Sequence, residues 1–175
     1  MKETELKLLA ELMRNSRRSD RELAKAIGVS QPTVTRMIRR LEKEGVIKEY
    51  TMIPDFSRLG YRILVLIFVK LKKTLSPEET EKARQIIIEN LSKSVFGIVM
   101  LERGIGLGYD GVIMAYFPDY ASYVKYRNII KAYPFVEVSG IDALLINLND
   151  KLRYRPLTFS YLAKSLLPQI KEKKS

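Results

Sequence analysis

Apolar positions recur at helical spacing from the start of the chain. Between Glu3 and Asn15, Leu6, Leu9 and Met13 form one stripe, with Leu8 and Leu12 beside it, the period of an amphipathic helix. A second helix is predicted from Ser19-Asp20-Arg21-Glu22. This is a capping box, in which the serine hydroxyl takes an orphan N–H and the glutamate reaches back. It turns Leu23, Ala26 and Ile27 inward and stops at Gly28, a residue suited to the left-handed end of a helix. After a tight Gly28-Val29-Ser30 turn, Ser30 as N-cap and Pro32 in the first turn open a third helix that ends at Gly45. Val46 to Ile53 is rich in β-formers and stops at Pro54-Asp55, which predicts a strand serving as a wing or hinge.

From Arg62 the period falls to two. Ile63, Val65, Ile67 and Val69 alternate with Leu64, Leu66 and Phe68 in a first body strand. Ser76-Pro77-Glu78-Glu79 starts a helix running to about Leu91, with a serine cap and acids at its positive end. Its predicted inner face is Ala83, Ile86, Ile87 and Leu91. Strands follow over Ser94–Glu102 and Asp110–Phe117, then a helix over Asp119–Tyr133 carrying Tyr120, Tyr123, Val124 and Ile130, then a strand over Val136–Leu148. The order β-α-β-β-α-β predicts a ferredoxin-like unit. In the tail, Thr158 is the expected cap of a short helix with Phe159, Leu162, Ala163 and Leu166 on one face. Pro168 ends it before a basic KEKKS terminus. The fold class is therefore α+β. An N-terminal winged helix-turn-helix over 1–50 and a hinge over 51–61 precede a ferredoxin-like domain over 62–150 and a basic extension over 151–175.

Both faces of the body sheet are apolar, yet two helices cover only one. Large exposed apolar patches are rare on monomers, so a second copy, sheet against sheet, is expected. A twofold dimer aims two helices at successive major grooves of a palindromic site when they stand about one helical turn apart.

Composition narrows the chemistry. The chain has no Cys and no His. That excludes disulfides, thiolate metal sites, histidine-based nucleophilic triads and most zinc sites. Magnesium or lysine chemistry would remain, but no carboxylate cluster supports it, so neither an enzyme nor a cofactor is expected. No apolar run is long enough for a membrane span. The N-terminus lacks the layout of an export signal, which fits a cytoplasmic protein. The formal net charge is +11, an excess that commonly signals a polyanionic partner. Residues 1–60 carry 13 basic and 9 acidic groups, residues 61–150 carry 11 and 10, and residues 151–175 carry 7 and 1. A nearly neutral body thus bears basic ends.

The third helix concentrates that charge. Val34, Met37, Ile38 and Leu41 fall on one side. Arg36, Arg39, Arg40 and Lys43 fall opposite, flanked by Gln31, Pro32, Thr33 and Thr35. A preceding short helix and a three-residue turn complete helix-turn-helix geometry. Such helices present their N-terminal residues to base edges, where Arg pairs with guanine and a Thr methyl meets thymine. Arg39, Arg40 and Lys43 are expected on phosphates, as are Arg17, Arg18 and Arg21. Double-stranded DNA is thus the expected partner. An RNA-binding module and an architectural DNA coater are the competing readings. RNA-recognition sheets, however, expose aromatics for base stacking, and these strands are mostly aliphatic. The tail is expected to pack as a helix; phosphate contact or subunit bridging is its alternative use.

The run GVSQPTVTRMIRRLEKEGVIKEYTMIPDFSRLGY resembles the DNA-binding half of the leucine-responsive regulatory protein/AsnC (feast/famine) family of transcriptional regulators. The matching features are Val29-Ser30, Val34, Ile38-x-x-Leu41, Glu42, Gly45-Val46-Ile47 and Leu59-Gly60. The resemblance covers roughly residues 1–150. It implies that the ferredoxin-like body is a ligand-sensing and dimerising domain.

The glycine-rich stretch GIGLGYDG has its context here. Gly106-Leu-Gly108-Tyr-Asp-Gly111 meets the G-x-G-x-x-G pattern. A dinucleotide site needs a helix after it, and here a strand follows, so a hairpin connection is expected instead. The family resemblance implies a further use. The loop would help bind an amino-acid effector together with neighbouring subunits, through Gly106, Gly108, Tyr109 and Asp110. Backbone N–H groups would take its carboxylate and Asp110 its ammonium. The stretch Arg103–Gly108 is longer than the family pattern.

Overall fold

The computed structural model describes residues 1–93, 96–152 and 154–166. The chain forms two compact units. One is Met1–Ile53 together with the described tail residues; the other is Pro54–Leu152.

The first unit holds α1 (Glu3–Arg14), α2 (Asp20–Ile27), α3 (Gln31–Lys43) and, from the tail, α6 (Leu162–Leu166). Its core is Leu8, Leu23, Ala24, Ile27, Val34 and Leu41. The α2 stripe is Leu23, Ala24 and Ile27; Ala26, expected inside, is exposed. The Ser19–Glu22 capping box is present. The Ser19 N–H donates to Glu22 Oε2 at 2.8 Å, and the Glu22 N–H donates to Ser19 Oγ at 3.3 Å. Gly28 closes α2 at φ 74°, its N–H donating to the Ala24 carbonyl at 3.0 Å. That left-handed residue permits the tight turn into α3.

Further expectations change in this unit. Val46 to Ile53 is not a strand. The Val46 and Ile47 N–H groups donate to the Leu41 carbonyl at 2.9 and 3.2 Å, so the β-rich segment begins by closing the end of α3. Its remainder finds no ladder partner among the described residues. The tail also belongs with α1. Ala10 on α1 and Ala163 on α6 are both fully buried, and the two helices pack on each other. Thr158 does not cap α6; its hydroxyl accepts the Ser160 N–H at 3.2 Å, one turn earlier. Pro168 and the KEKKS terminus lie outside the described residues.

The second unit is an antiparallel four-stranded sheet with two helices. Its elements are β1 (Ile63–Leu71), α4 (Pro77–Lys93), β2 (Gly97–Gly106), β3 (Tyr109–Phe117), α5 (Tyr120–Lys131) and β4 (Val136–Asn147). The sheet order is β2-β3-β1-β4, the ferredoxin-like arrangement. Val65 pairs with Ala115 and Leu145, and Ile67 with Ile113 and Ala143. These rows face the helices, and Val65, Ile67, Ile113 and Ala115 form the core with Phe117, Tyr123, Tyr126 and Ile130; Leu145, at the end of its row, is exposed. Asp119 caps α5, its Oδ1 accepting the Ser122 N–H at 2.7 Å. Tyr120, expected along the inner stripe of α5, is exposed, and so is Ile86 on α4. The strand expected from Ser94 begins at Gly97; Ser94 itself is outside the described residues.

The other sheet face carries Leu64, Leu66 and Phe68 on β1, Val112 and Met114 on β3, Met100 on β2, and Leu144 and Ile146 on β4. Phe56 stacks on Tyr116 at 3.8 Å between ring centroids and covers one end of this face. Leu144, Ile146 and Met100 remain exposed.

Candidate nucleic-acid interface

The apolar residues of α3 set its orientation. Val34 and Leu41 are buried, and Met37 and Ile38 are half-buried. The opposite stripe, Pro32, Arg36, Arg39 and Lys43, is therefore exposed, one residue per turn. Arg39 and Lys43 have no acidic partner among the described residues. Arg36 reaches only its own helix, donating from Nε to the Pro32 carbonyl at 3.4 Å. Gln31 is exposed, and Thr33 shares a hydroxyl–hydroxyl hydrogen bond with Ser30 at 2.8 Å. In the preceding loop and first turn of α2, Arg17 and Arg21 are exposed.

Three of the expected contact residues are engaged inside the unit. Arg40 is drawn off the exposed stripe by Glu5 of α1, with which it forms an ion pair, and lies 3.7 Å from Glu44. Arg18 pairs with Glu11 of α1. The Thr35 hydroxyl donates to Asp20 of α2 and lies 3.2 Å from the Gln31 carbonyl. The bonds to Glu5, Glu11 and Asp20 each tie one element to another, so these groups fix the angles between the helices.

The pattern of α3 alone does not point to the acidic partners Glu5, Glu11 and Asp20. Glu5 is buried. The Lys2 N–H, 2.8 Å away, lowers its pKa; burial opposes this, and the Arg40 guanidinium adds to the lowering. The sequence does hold one signal: Glu5 sits three residues before Leu8, on the inner face of α1, where a lone acid demands a cation from another helix.

The glycine-rich stretch is a hairpin end. Gly106 pairs with Tyr109 across a two-residue turn. Leu107 and Gly108, at φ 54° and 79°, have the two positive φ values of a type I′ turn. The Tyr109 hydroxyl donates to Asp142, whose carboxylate pushes the phenol's pKa up. Asp110 Oδ2 accepts the Leu71 N–H at 2.8 Å, where β1 slips register. All four residues expected at an effector site thus cluster at one end of the sheet. No group of three or more metal-ligating side chains occurs among the described residues, and no described helix is long and apolar enough to cross a membrane.

Comparison with known proteins places this geometry in context. Residues 1–48 match the family described as winged helix-turn-helix DNA-binding. The chain is 30% identical over 142 residues to the HTH-type transcriptional regulator Ptr1 of Methanocaldococcus jannaschii, spanning 81% of this chain and 88% of that protein. It is 38% identical over 68 residues to the leucine-responsive regulatory protein of Rhizobium meliloti, spanning 39% and 44%. Among solved structures, the transcriptional regulator NMB0573 of Neisseria meningitidis, in complex with L-Met, superposes with a TM-score of 0.67. It is 18% identical and covers 93% of this chain and 99% of that one.

Proposed function

The chain belongs to the leucine-responsive regulatory protein/AsnC family of DNA-binding transcriptional regulators, and we propose that it reads DNA through the exposed stripe of α3. Arg36 and the N-terminal Gln31, Pro32 and Thr33 face base edges; Arg39, Lys43, Arg17 and Arg21 contact phosphates. Arg40, Arg18 and Thr35 hold the helices at the angle this needs. The observation that carries this reading is the division of the α3 cations. Arg40 is neutralised by the protein's own acid, whereas Arg39 and Lys43 have no such partner among the described residues. Unpaired cations on a groove-sized rod suit a polyanion.

The protein acts as a homodimer, joined through the uncovered apolar sheet face around Leu66, Met114 and Leu144. An amino-acid effector binds at the hairpin end, where Asp110 keeps acceptor capacity beyond its bond to Leu71. The methionine complex of NMB0573 supports an effector of this class. The site of action is the cytoplasm, and no bond is made or broken there.

A mobility-shift assay on operator DNA tests the groove assignment. Arg36→Ala should relax base choice and cost about 1–3 kcal/mol per half-site. Normal binding and unchanged base preference in that variant would overturn the assignment.

A further inference from the structure

Of the described α4 side chains, only Ala83 is buried. Beneath the helix, between it, α5 and the sheet, lies a cavity of about 640 Å³. The space is a groove partly open to solvent rather than an enclosed void. Its volume falls within the range of small-molecule sites. Ile87 and Leu91 of α4 line one wall, with Val69 and Ile113 of the sheet opposite. A free amino acid would leave most of that chamber empty, and a polar body would lose hydrogen bonds in it.

The mouth is different. The strand register pairs Arg103 with Gly111, in step with Leu101 and Ile113. Arg103 therefore stands on the helix-facing side of the sheet, the side otherwise given to the core. Gly111 opposite it has no side chain to fill the gap; a Cβ there would meet the Glu102 carbonyl oxygen at 3.3 Å. Arg103 has no acidic partner among the described residues. Glu102 and Asp110 also border the cavity; Asp110 accepts the Leu71 N–H, Glu102 falls on the opposite sheet face by strand alternation, and neither forms an ion pair with Arg103. Arg84 of α4 also borders the cavity, paired with Glu81 at 3.2 Å on the exposed side.

We propose that this cavity binds a fatty carboxylate. The alkyl chain lies between α4 and the sheet, and the carboxylate meets the Arg103 guanidinium, with Arg84 as a second cation. Charge complementarity selects this ligand: an apolar chamber needs an apolar body, and a guanidinium fork at its rim matches a carboxylate. The cavity reaches Asp110 and Gly111 of β3 but not the turn residues Leu107 and Gly108, and its occupancy does not depend on how the protein reads DNA.

The test is displacement of a fluorescent fatty-acid probe from the full-length protein by dodecanoate, without DNA. Saturable displacement at one site per chain is expected. Arg103→Gln should weaken dodecanoate at least about 10-fold, the loss of a charged hydrogen bond, while its thermal midpoint matches that of the parent. Ile87→Trp, which fills the chamber, should abolish binding. The proposal is overturned if dodecanoate does not displace the probe up to its solubility limit, if 1-dodecanol binds as tightly as dodecanoate, or if Arg103→Gln binds like the parent.

Discussion

Arg40 of the third helix pairs with the buried carboxylate of Glu5 in the first. The two residues lie 35 positions apart, and the pair ties the C-terminal half of α3 to α1. A cation on the polar side of α3 is thereby committed to the fold, and its neighbour Arg39 is left for a partner.

These neighbours should therefore separate on mutation. Arg40→Ala leaves a buried acid with one fewer donor and should destabilise the protein by about 1–3 kcal/mol. Arg40 is partly exposed, which keeps the loss below that of a fully buried pair. Arg39→Ala should change stability by less than about 0.5 kcal/mol yet weaken DNA binding. Urea unfolding monitored by circular dichroism, beside a mobility-shift titration, checks both halves.

Acid should loosen the DNA-binding unit through the same carboxylate. The Lys2 N–H and Arg40 hold Glu5 below its usual value near 4.5 despite burial, and bonds from Ser19 lower Glu22 likewise. A group with a lowered folded pKa stabilises fully above its unfolded value and loses that contribution as pH falls through the folded one. Stability should hold above about pH 4.5 and decline below it. Glu5→Gln should flatten that decline in thermal midpoints measured from about pH 6 down to about pH 3.

Salt should govern affinity. A dimer contacting about six to ten phosphates loses about 10³- to 10⁵-fold in affinity between about 50 and 200 mM salt. Removing Lys43 should reduce the slope of log K against log salt by about 1 for each phosphate it no longer neutralises. Fluorescence anisotropy across a salt series gives the slopes of parent and variant; equal slopes would remove Lys43 from the interface.

The hairpin turn carries strain that can be relieved. Leu107 occupies left-handed backbone at φ 54° with its side chain exposed, a conformation that costs most residues about 1–2 kcal/mol. Leu107→Asn creates the Asn-Gly pair that type I′ turns favour. It should raise stability by about 0.5–1 kcal/mol, read as a higher urea midpoint with unchanged slope.

Local signals make much of the fold legible. The Ser19–Glu22 box, Gly28 and the period-two runs of β1 and β3 each act within a few residues, and periodicity captures that. The failures share a cause in long-range packing. Val46–Ile53 has strand propensity but no partner edge among the described residues, so propensity alone could not make it a strand. Ala26 and Ile86 share helical stripes with core residues, yet lie just beyond the packed arc. On α3, the stripe Arg36, Arg39 and Lys43 is visible as a helix face. The diversion of Arg40, Arg18 and Thr35 is not, because it depends on Glu5, Glu11 and Asp20 meeting them from other helices. The cavity under α4 has no sequence signal, since its helix still carries apolar residues at core spacing.

Paired copies of α3 reading a duplex through Arg36, Arg39 and Lys43 are the core of the proposed function. Selection of bound fragments from random DNA tests it most directly. The expected result is a palindrome whose half-sites are centred about one helical turn, or a multiple of it, apart, with Arg36→Ala broadening the recovered bases in both halves alike. Recovery of fragments with no shared sequence, or of one unrepeated half-site, would contradict it.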